Sequence, residues 1–387
     1  MSAVNGERGN TVLLTLMLVG LGAWWALPVV SVAPNRIVPG EARYAWEVAG
    51  PAMALLASLP MALAALSARS ADPGWRSLGL VLLALAGLPL WLVLAVHQLI
   101  DPELPQARLG IGSGIWCALF VLMLALLDLR TRQRLSTGVS WLLMLTPLAL
   151  LAVCLPLGLN RLALWQEYQG RADDFWLAIG EHLLLVTTTV GVSLVLGAGI
   201  ALLMRRYPEV QRGAFAVLNF LQTIPSLALF GLLLGPLAWL ANRYPWVDSL
   251  GISGIGWAPA LLALVAYSLL PMVRNTFVAL EGVSPGVIEA ARGMGMSRLQ
   301  IFFQVRLPLA VPVLLEGVRI TTVQAIGLTA VAALIGAGGL GRFIFQGLGQ
   351  AAMDLVLLGA LPILVMAILA DAVLGNLSRR LGRGEAA

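Results

Sequence analysis

The chain contains no lysine; all 24 of its basic residues are arginine. A phosphate-binding loop of the G-x-x-x-x-G-K-[ST] kind is therefore excluded, and so is Schiff-base chemistry. Histidine and cysteine number only two each. Cys117 and Cys154 lie in apolar runs, where a cysteine packs as a small hydrophobe, and with His97 and His182 they make no disulfide framework or metal site. Charge is the largest shortage. Only 11% of the 387 residues are charged, against about 25% in an ordinary soluble domain. Apolar residues reach 59% and the mean hydropathy is +0.91, which excludes both a soluble globule and a disordered chain.

What is present is a series of apolar blocks about 20 residues long, the length that crosses a bilayer's hydrocarbon core. The pattern predicts an all-α integral membrane protein of about ten spans, near 11–33, 48–68, 77–100, 111–129, 138–158, 182–203, 214–237, 258–280, 309–335 and 354–377. A cleaved signal peptide is the alternative for the first, because Arg8 precedes the run from Thr11 to Leu27. That run is long for an h-region, and no clear A-x-A site follows it. With the amino terminus inside, fifteen arginines fall in inner segments, seven in outer ones, and Arg274 and Arg319 within spans. The excess of inner arginine places both termini in the cytoplasm. It also accounts for the formal charge of +5 without a nucleic acid partner. Trp24, Trp25, Trp75, Trp141, Trp239 and Trp257 fall near span ends, as interfacial aromatics do. A cation–π site for a quaternary ammonium solute is the alternative reading of such residues.

Four regions follow: an N-terminal membrane region of about five spans (1–160), an outer segment (161–181) with Glu167, Asp173 and Asp174, a second set of five spans (182–378), and a basic tail (379–387). No internal repeat is evident, so an inverted-repeat transporter gains no support. The longest inner loop, 281–308, reads as structured. Ser284-Pro285 is a helix start, with a hydroxyl for capping and proline at the first turn. Val287, Ile288, Ala291 and Met294 share a helix face, and Gly295 suits a left-handed C-terminal turn. Ser297 and Gln300 form a capping box for a second short helix, which Leu307-Pro308 is expected to stop. An amphipathic hairpin lying on lipid is the plainer interpretation.

Two other motifs match chemistry that their context denies. Gly336-x-Gly338-x-x-Gly341, with Asp354 beyond it, fits the dinucleotide fingerprint but follows a span rather than a strand. Those glycines suit a sharp turn or close helix packing near an outer gate. Gly282-x-Ser284-x-Gly286 fits a nucleophile elbow, yet His97 and His182 lie across the membrane from it. Charges within spans are costly and point to function or pairing. Arg274, beside Asn275 and Thr276, reads equally as a gate or loop tether and as a snorkelling side chain. Glu316 and Arg319 suit a local pair, and Asp371 an interface position.

Glu289-Ala290-Ala291, three residues, Gly295, nine residues, then Val305-x-Leu307-Pro308 resembles the E-A-A-x3-G-x9-I-x-L-P loop of permease subunits of binding-protein-dependent ABC importers. Valine for isoleucine is the one departure. Glu181-His182-Leu183, Gln222-Thr223-Ile224-Pro225-Ser226, the run Leu270–Thr276 and the run Ile335–Gly341 resemble the glycine betaine/choline/carnitine branch. Pro34-Asn35-Arg36 and Gly112-Ser113-Gly114 resemble the long osmoprotectant permeases of proteobacterial inner membranes. The resemblance implies a type I importer core of the methionine-permease class in the last five spans, a non-catalytic transport subunit, and no cofactor. Its implied partners are ABC ATPase subunits gripping the loop, a periplasmic solute-binding protein outside, membrane lipid, and a second permease in a homodimer or heterodimer. Gln222, Pro225, Ser226, Arg274, Asn275, Gly338 and Gly339 are the candidate gate or pathway residues. An ion-coupled secondary transporter without an ATPase is the alternative.

Overall fold

The computed structural model describes residues 9–36, 38–70, 74–104 and 106–382 and divides into two compact units, Met1–Gly170 and Arg171–Ala387. Among the described residues, nine helices are long and apolar enough to cross a membrane, and Thr11–Ala26 is a shorter apolar helix.

In the N-terminal unit, α1 (Thr11–Ala26) is capped by Asn10, whose Oδ1 accepts from the Leu13 N–H at 3.0 Å. The Asn10 amide donates to Asp128 at 2.6 Å. The helix ends seven residues before the expected end of its span. Leu27 precedes Pro28 and is held extended, which leads the chain into strand β1 (Val30–Ala33). β1 pairs antiparallel with β2 (Glu41–Arg43) and β3 (Arg108–Ile111) in the order β2-β1-β3. This sheet departs from an all-α chain, and its strands of three or four residues are too short for alternation to be read. α2 (Ala45–Ser67) is interrupted at Ala49–Gly50 before Pro51 and is followed by α3 (Gly74–Leu99), α4 (Ser113–Arg132) and α5 (Thr137–Cys154). Two 3-10 turns lead to α6 (Ala163–Gln169), which supplies Glu167. That carboxylate is only 5% exposed and is paired with Arg36 at 2.9 Å and Arg108 at 2.8 Å. The core of the unit is built from large side chains, among them Leu13, Met17, Met61, Leu85, Leu122 and Leu126. Trp24 lies at its centre, donating its indole N–H to the Ala54 carbonyl at 3.2 Å and meeting Trp91 edge-on at 5.1 Å.

The C-terminal unit opens with α7 (Ala172–Arg206), ten residues earlier than its expected span. Asp173 and Asp174 sit in the first turn, where acidic side chains favour the helix dipole, so much of the expected outer segment is helical. The span expected at 214–237 is two helices, α8 (Pro208–Thr223) and α9 (Ser226–Arg243). Ile224 precedes proline and is held extended, and Pro225 follows with ψ 139°, so the helix breaks there. A short α10 (Pro245–Ser249) precedes α11 (Trp257–Glu281). The 281–308 loop holds α12 (Pro285–Gly293) and α13 (Arg298–Gln300). α14 (Leu307–Ala332), α15 (Gly341–Gly349) and α16 (Met353–Gly382) complete the unit. α11 packs against both α7 and α14, and α14 packs against α16. Small residues allow that approach: Ala260, Ala263 and Ala325 are fully buried, and Gly317 faces Asn275 across the α11–α14 contact.

Candidate functional site

The 281–308 loop is a helical hairpin hinged at Gly295. That residue takes φ +81°, a conformation that a β-branched side chain resists. The Ser297–Gln300 capping box is present, with Gln300 Oε1 accepting from the Ser297 N–H at 2.8 Å and Ser297 Oγ from the Gln300 N–H at 3.3 Å. Two details differ from expectation. Ser284 stands at the N-cap of α12, but its hydroxyl makes no capping hydrogen bond there, leaving proline as the start signal. Leu307-Pro308 does not stop the second helix. A π-helical turn, Ile301–Arg306, carries α13 straight into α14, and this widened turn admits a proline that would otherwise clash with the preceding turn.

The apolar face expected from Val287, Ile288, Ala291 and Met294 is divided. Ile288 and Ala291 are buried with Val283 and Ile301, packed by Val305 and Leu309. Met294 (75% exposed), Leu299 (71%) and Phe303 (60%) face outward, with Val287 partly so. Glu289 and Ala290 are exposed. The hairpin thus has its own small core and an outer surface of apolar groups around an acidic one. Its base is clasped by Glu281, which pairs with Arg205 of α7 at 2.9 Å, while Arg306 donates to the Leu280 carbonyl at 3.0 Å. The sequence reading missed this clasp, since Glu281 and Arg205 are joined only by the packing of α7 on α11.

The Gln222–Ser226 motif is the break between α8 and α9. Gln222 donates to the Tyr267 carbonyl at 2.9 Å, and the Tyr267 hydroxyl donates to the Ile224 carbonyl. Ser226 opens α9. On α11, Asn275 donates to the Pro271 carbonyl at 2.8 Å, whereas Arg274 is exposed and has no ion pair among the described residues. At the other end of the unit, Gly338 and Gly339 take φ +81° and +77° and wrap Glu181. The Gly339 N–H donates to Glu181 Oε2 at 2.7 Å, and Arg342 lies 3.5 Å from the same oxygen. A Cβ on Gly338 would stand 2.4 Å from that oxygen. These glycines form a carboxylate-holding turn, not a nucleotide cradle.

The intramembrane charges pair differently from expectation. Arg319 does contact Glu316, at 3.1 Å, but its principal partner is Asp371 of α16, held in two bonds of 2.7 and 2.8 Å. Such a forked pair is stronger and more directional than a single contact. Gly375, one turn beyond Asp371, leaves room for the guanidinium, whose Cζ is 3.1 Å from where a Cβ would be. Among the described residues, no group of three histidine, cysteine, aspartate or glutamate side chains is placed to hold a metal ion.

Many apolar helices, a compact hairpin between two of them and a broken span make this a multi-span helical membrane protein. Residues 193–383 match the family of binding-protein-dependent transport system inner membrane components, and residues 8–165 match the N-terminal domain of the ABC transporter permease YehY. The chain belongs to the first of these families, as a multi-pass permease subunit of a bacterial ABC importer. It is 35% identical over 214 residues to the carnitine transport permease protein OpuCB of Listeria monocytogenes, covering 55% of this chain and 91% of that one. With the osmoprotectant import permease protein OsmW of Salmonella typhimurium, identity is 40% over 197 residues, covering 51% and 86%. With the glycine betaine/carnitine/choline transport system permease protein OpuCB of Bacillus subtilis it is 34% over 217 residues, covering 55% and 90%. Among solved structures, the inward-facing MetNI methionine ABC transporter aligns with a TM-score of 0.45 at 22% identity, over 53% of this chain and 94% of that one.

Proposed function

We propose that this chain is the membrane subunit of an importer for quaternary ammonium osmoprotectants such as glycine betaine, choline or carnitine, powered by separate ATPase subunits. The solute class rests on the names its relatives carry. The single observation that carries the mechanism is the hairpin at 285–306, self-packed on Ile288, Ala291 and Ile301 yet presenting Glu289, Met294, Leu299 and Phe303 outward. A rigid handle with an unfilled apolar surface suits a docking partner better than it suits solvent. In this reading the ATPase pair grips the Glu289–Pro308 segment on the cytoplasmic side, and its closure swings the hairpin as a lever on α11 and α14. The C-terminal unit is the permease core and works as a pair with a second copy or a related permease. Exposed apolar side chains elsewhere on the spans meet lipid. A solute-binding protein docks on the periplasmic face. Both termini are cytoplasmic, the membrane is the bacterial inner one, and the chain itself performs no catalysis.

The test is reconstitution in proteoliposomes with the cognate ATPase and binding protein, following radiolabelled glycine betaine and choline. Uptake requires ATP, and Gly295→Val, which forces a branched residue into a left-handed turn, lowers uptake by about tenfold or more while the complex still assembles. Uptake by the permease alone on an ion gradient would overturn the ATPase-driven reading. Wild-type uptake by Gly295→Val would overturn the lever.

A further inference from the structure

Two backbone defects of the C-terminal unit lie side by side, one at the entry to the α9 span and one within the α11 span. α8 ends at Thr223 and α9 starts at Ser226, so carbonyls at the break have no helical donor further along the chain. α11 runs through Pro271, which has no N–H, so the carbonyl four residues earlier, that of Tyr267, also lacks its helical donor. Backbone polar groups at membrane depth must find partners within the protein. Here the two defects supply each other. The Gln222 amide at the end of α8 donates to the Tyr267 carbonyl at 2.9 Å, filling the vacancy left by Pro271. The Tyr267 hydroxyl donates back to the Ile224 carbonyl inside the break. Beyond the break, Phe230 of α9 is fully buried against the cluster that holds Ala260, Ala263, Leu264 and Tyr267, so α9 is seated on the half of α11 that precedes Pro271. The half that follows Pro271 ends at Glu281 and leads directly into the inner hairpin.

We propose that Gln222 and Tyr267 are positioning residues that join the proline hinge of α11 to the Ile224–Pro225 hinge, so that displacement of the hairpin bends α11 at Pro271 and turns α9 with it. This rests on the reading of the chain as an ATPase-driven permease. The pair needs no contact with solute. Its role is to keep two flexible points from moving independently, which would let ATP be spent without opening the path. A clasp made of one amide and one hydroxyl can persist through a bend, because both groups sit on side chains that follow the moving backbone.

The experiment uses the full complex with its ATPase and binding protein in proteoliposomes, and reads radiolabelled glycine betaine moved per ATP hydrolysed. Tyr267→Phe keeps the ring and removes the hydroxyl, and it lowers that ratio by about three- to tenfold, the factor expected for one buried hydrogen bond. Gln222→Ala lowers it comparably. Pro271→Ala restores an N–H for the Tyr267 carbonyl, so adding Gln222→Ala to that background costs less than about twofold. The same double-mutant cycle, read as the melting temperature of the purified complex, shows the same non-additivity. An unchanged ratio in both single variants would overturn the proposal, and so would a Gln222→Ala cost that is the same with proline or alanine at 271. A wild-type complex that moves no glycine betaine would count against the solute reading alone, since the melting cycle still decides whether the clasp exists.

Discussion

The two units stabilise themselves by different means. Among the described residues, the N-terminal unit fully buries ten Leu, Met, Phe or Trp side chains, from Leu13 to Leu159, whereas the longer C-terminal unit fully buries five: Leu185, Met204, Phe230, Leu264 and Met272. The C-terminal unit buries more hydroxyls: Thr189, Ser193, Ser268, Thr321 and Thr329 are each fully buried, and none of these oxygens has a hydrogen-bond partner among the described residues. Its helices carry a break at Ile224–Pro225, a π turn at 301–306 and a glycine turn at 336–339, against the single interruption at Ala49–Gly50 described for the N-terminal helices. Large interlocking side chains fix one arrangement, because a close-packed core does not deform continuously. Small residues and buried hydroxyls interlock less and specify a packing less tightly. The core of the N-terminal unit is therefore the more tightly interlocked of the two.

The comparison breaks most readily at Trp24. Trp24→Ala removes a fully buried indole and its hydrogen bond to the Ala54 carbonyl, and opens a cavity beside Trp91. The expected loss is about 3–5 kcal/mol, read by chemical unfolding in detergent. A loss below about 1 kcal/mol would show that the N-terminal unit is no more tightly packed than its neighbour.

A smaller effect is expected at the forked pair of the C-terminal unit. Asp371→Leu leaves the Arg319 guanidinium beside Glu316 alone and costs about 1–2 kcal/mol, because the forked geometry strengthens a pair that is 29% and 48% exposed, whereas Arg319→Met with Asp371→Leu costs less than the two singles combined. The double-mutant cycle measures that coupling. Additive losses would mean that α14 and α16 are held by apolar packing, as the N-terminal helices are.

How far these features could be read in the sequence depends on the range of the interactions that make them. The 281–308 hairpin was legible because its determinants are neighbours in the chain: Pro285 starts one helix, Gly295 allows the turn, and Ser297 reaches Gln300 three residues away. The break at Ile224–Pro225 was printed in the sequence, but the apolar residues on either side concealed it within a single hydropathic block. Tyr267 carried no signal, since its importance comes from Gln222, 45 positions earlier, and from a proline that merely looks like a helix kink. Arg319 was assigned to Glu316 because three residues is the range that helix periodicity reveals, and its bond to Asp371 spans 52 positions. The sheet failed for the opposite reason. Its strands are local but too brief to show a period, and they are fixed by pairing between distant loops.

The unpaired hydroxyls sharpen the contrast from the other side. Thr321→Val is nearly isosteric and removes a buried oxygen that has no partner, so the C-terminal unit becomes more stable by up to about 1 kcal/mol. Uptake falls in the same variant if the hydroxyl finds its partner in another conformation. A destabilised variant would show that Thr321 is already satisfied in the resting arrangement, and that the unit is more rigid than its composition indicates.

The smallest effect belongs to Glu281. Its pair with Arg205 is short, but the two side chains are 49% and 29% exposed, so water and salt screen the attraction. Arg306 keeps its bond to the Leu280 carbonyl whether or not Glu281 is charged, so the end of α11 stays capped. Glu281→Gln therefore costs under about 1 kcal/mol at low ionic strength. At 1 M salt, where the screening length is about 3 Å, the difference from wild type vanishes. Melting curves of the two proteins across a salt series make the measurement. A loss above about 2 kcal/mol that persists in high salt would mean that the C-terminal ends of α7 and α11 are fastened as firmly as the Trp24 core. A hairpin anchored there could not act as a lever on a loosely packed unit, because the joint meant to transmit the motion would itself be the most rigid point.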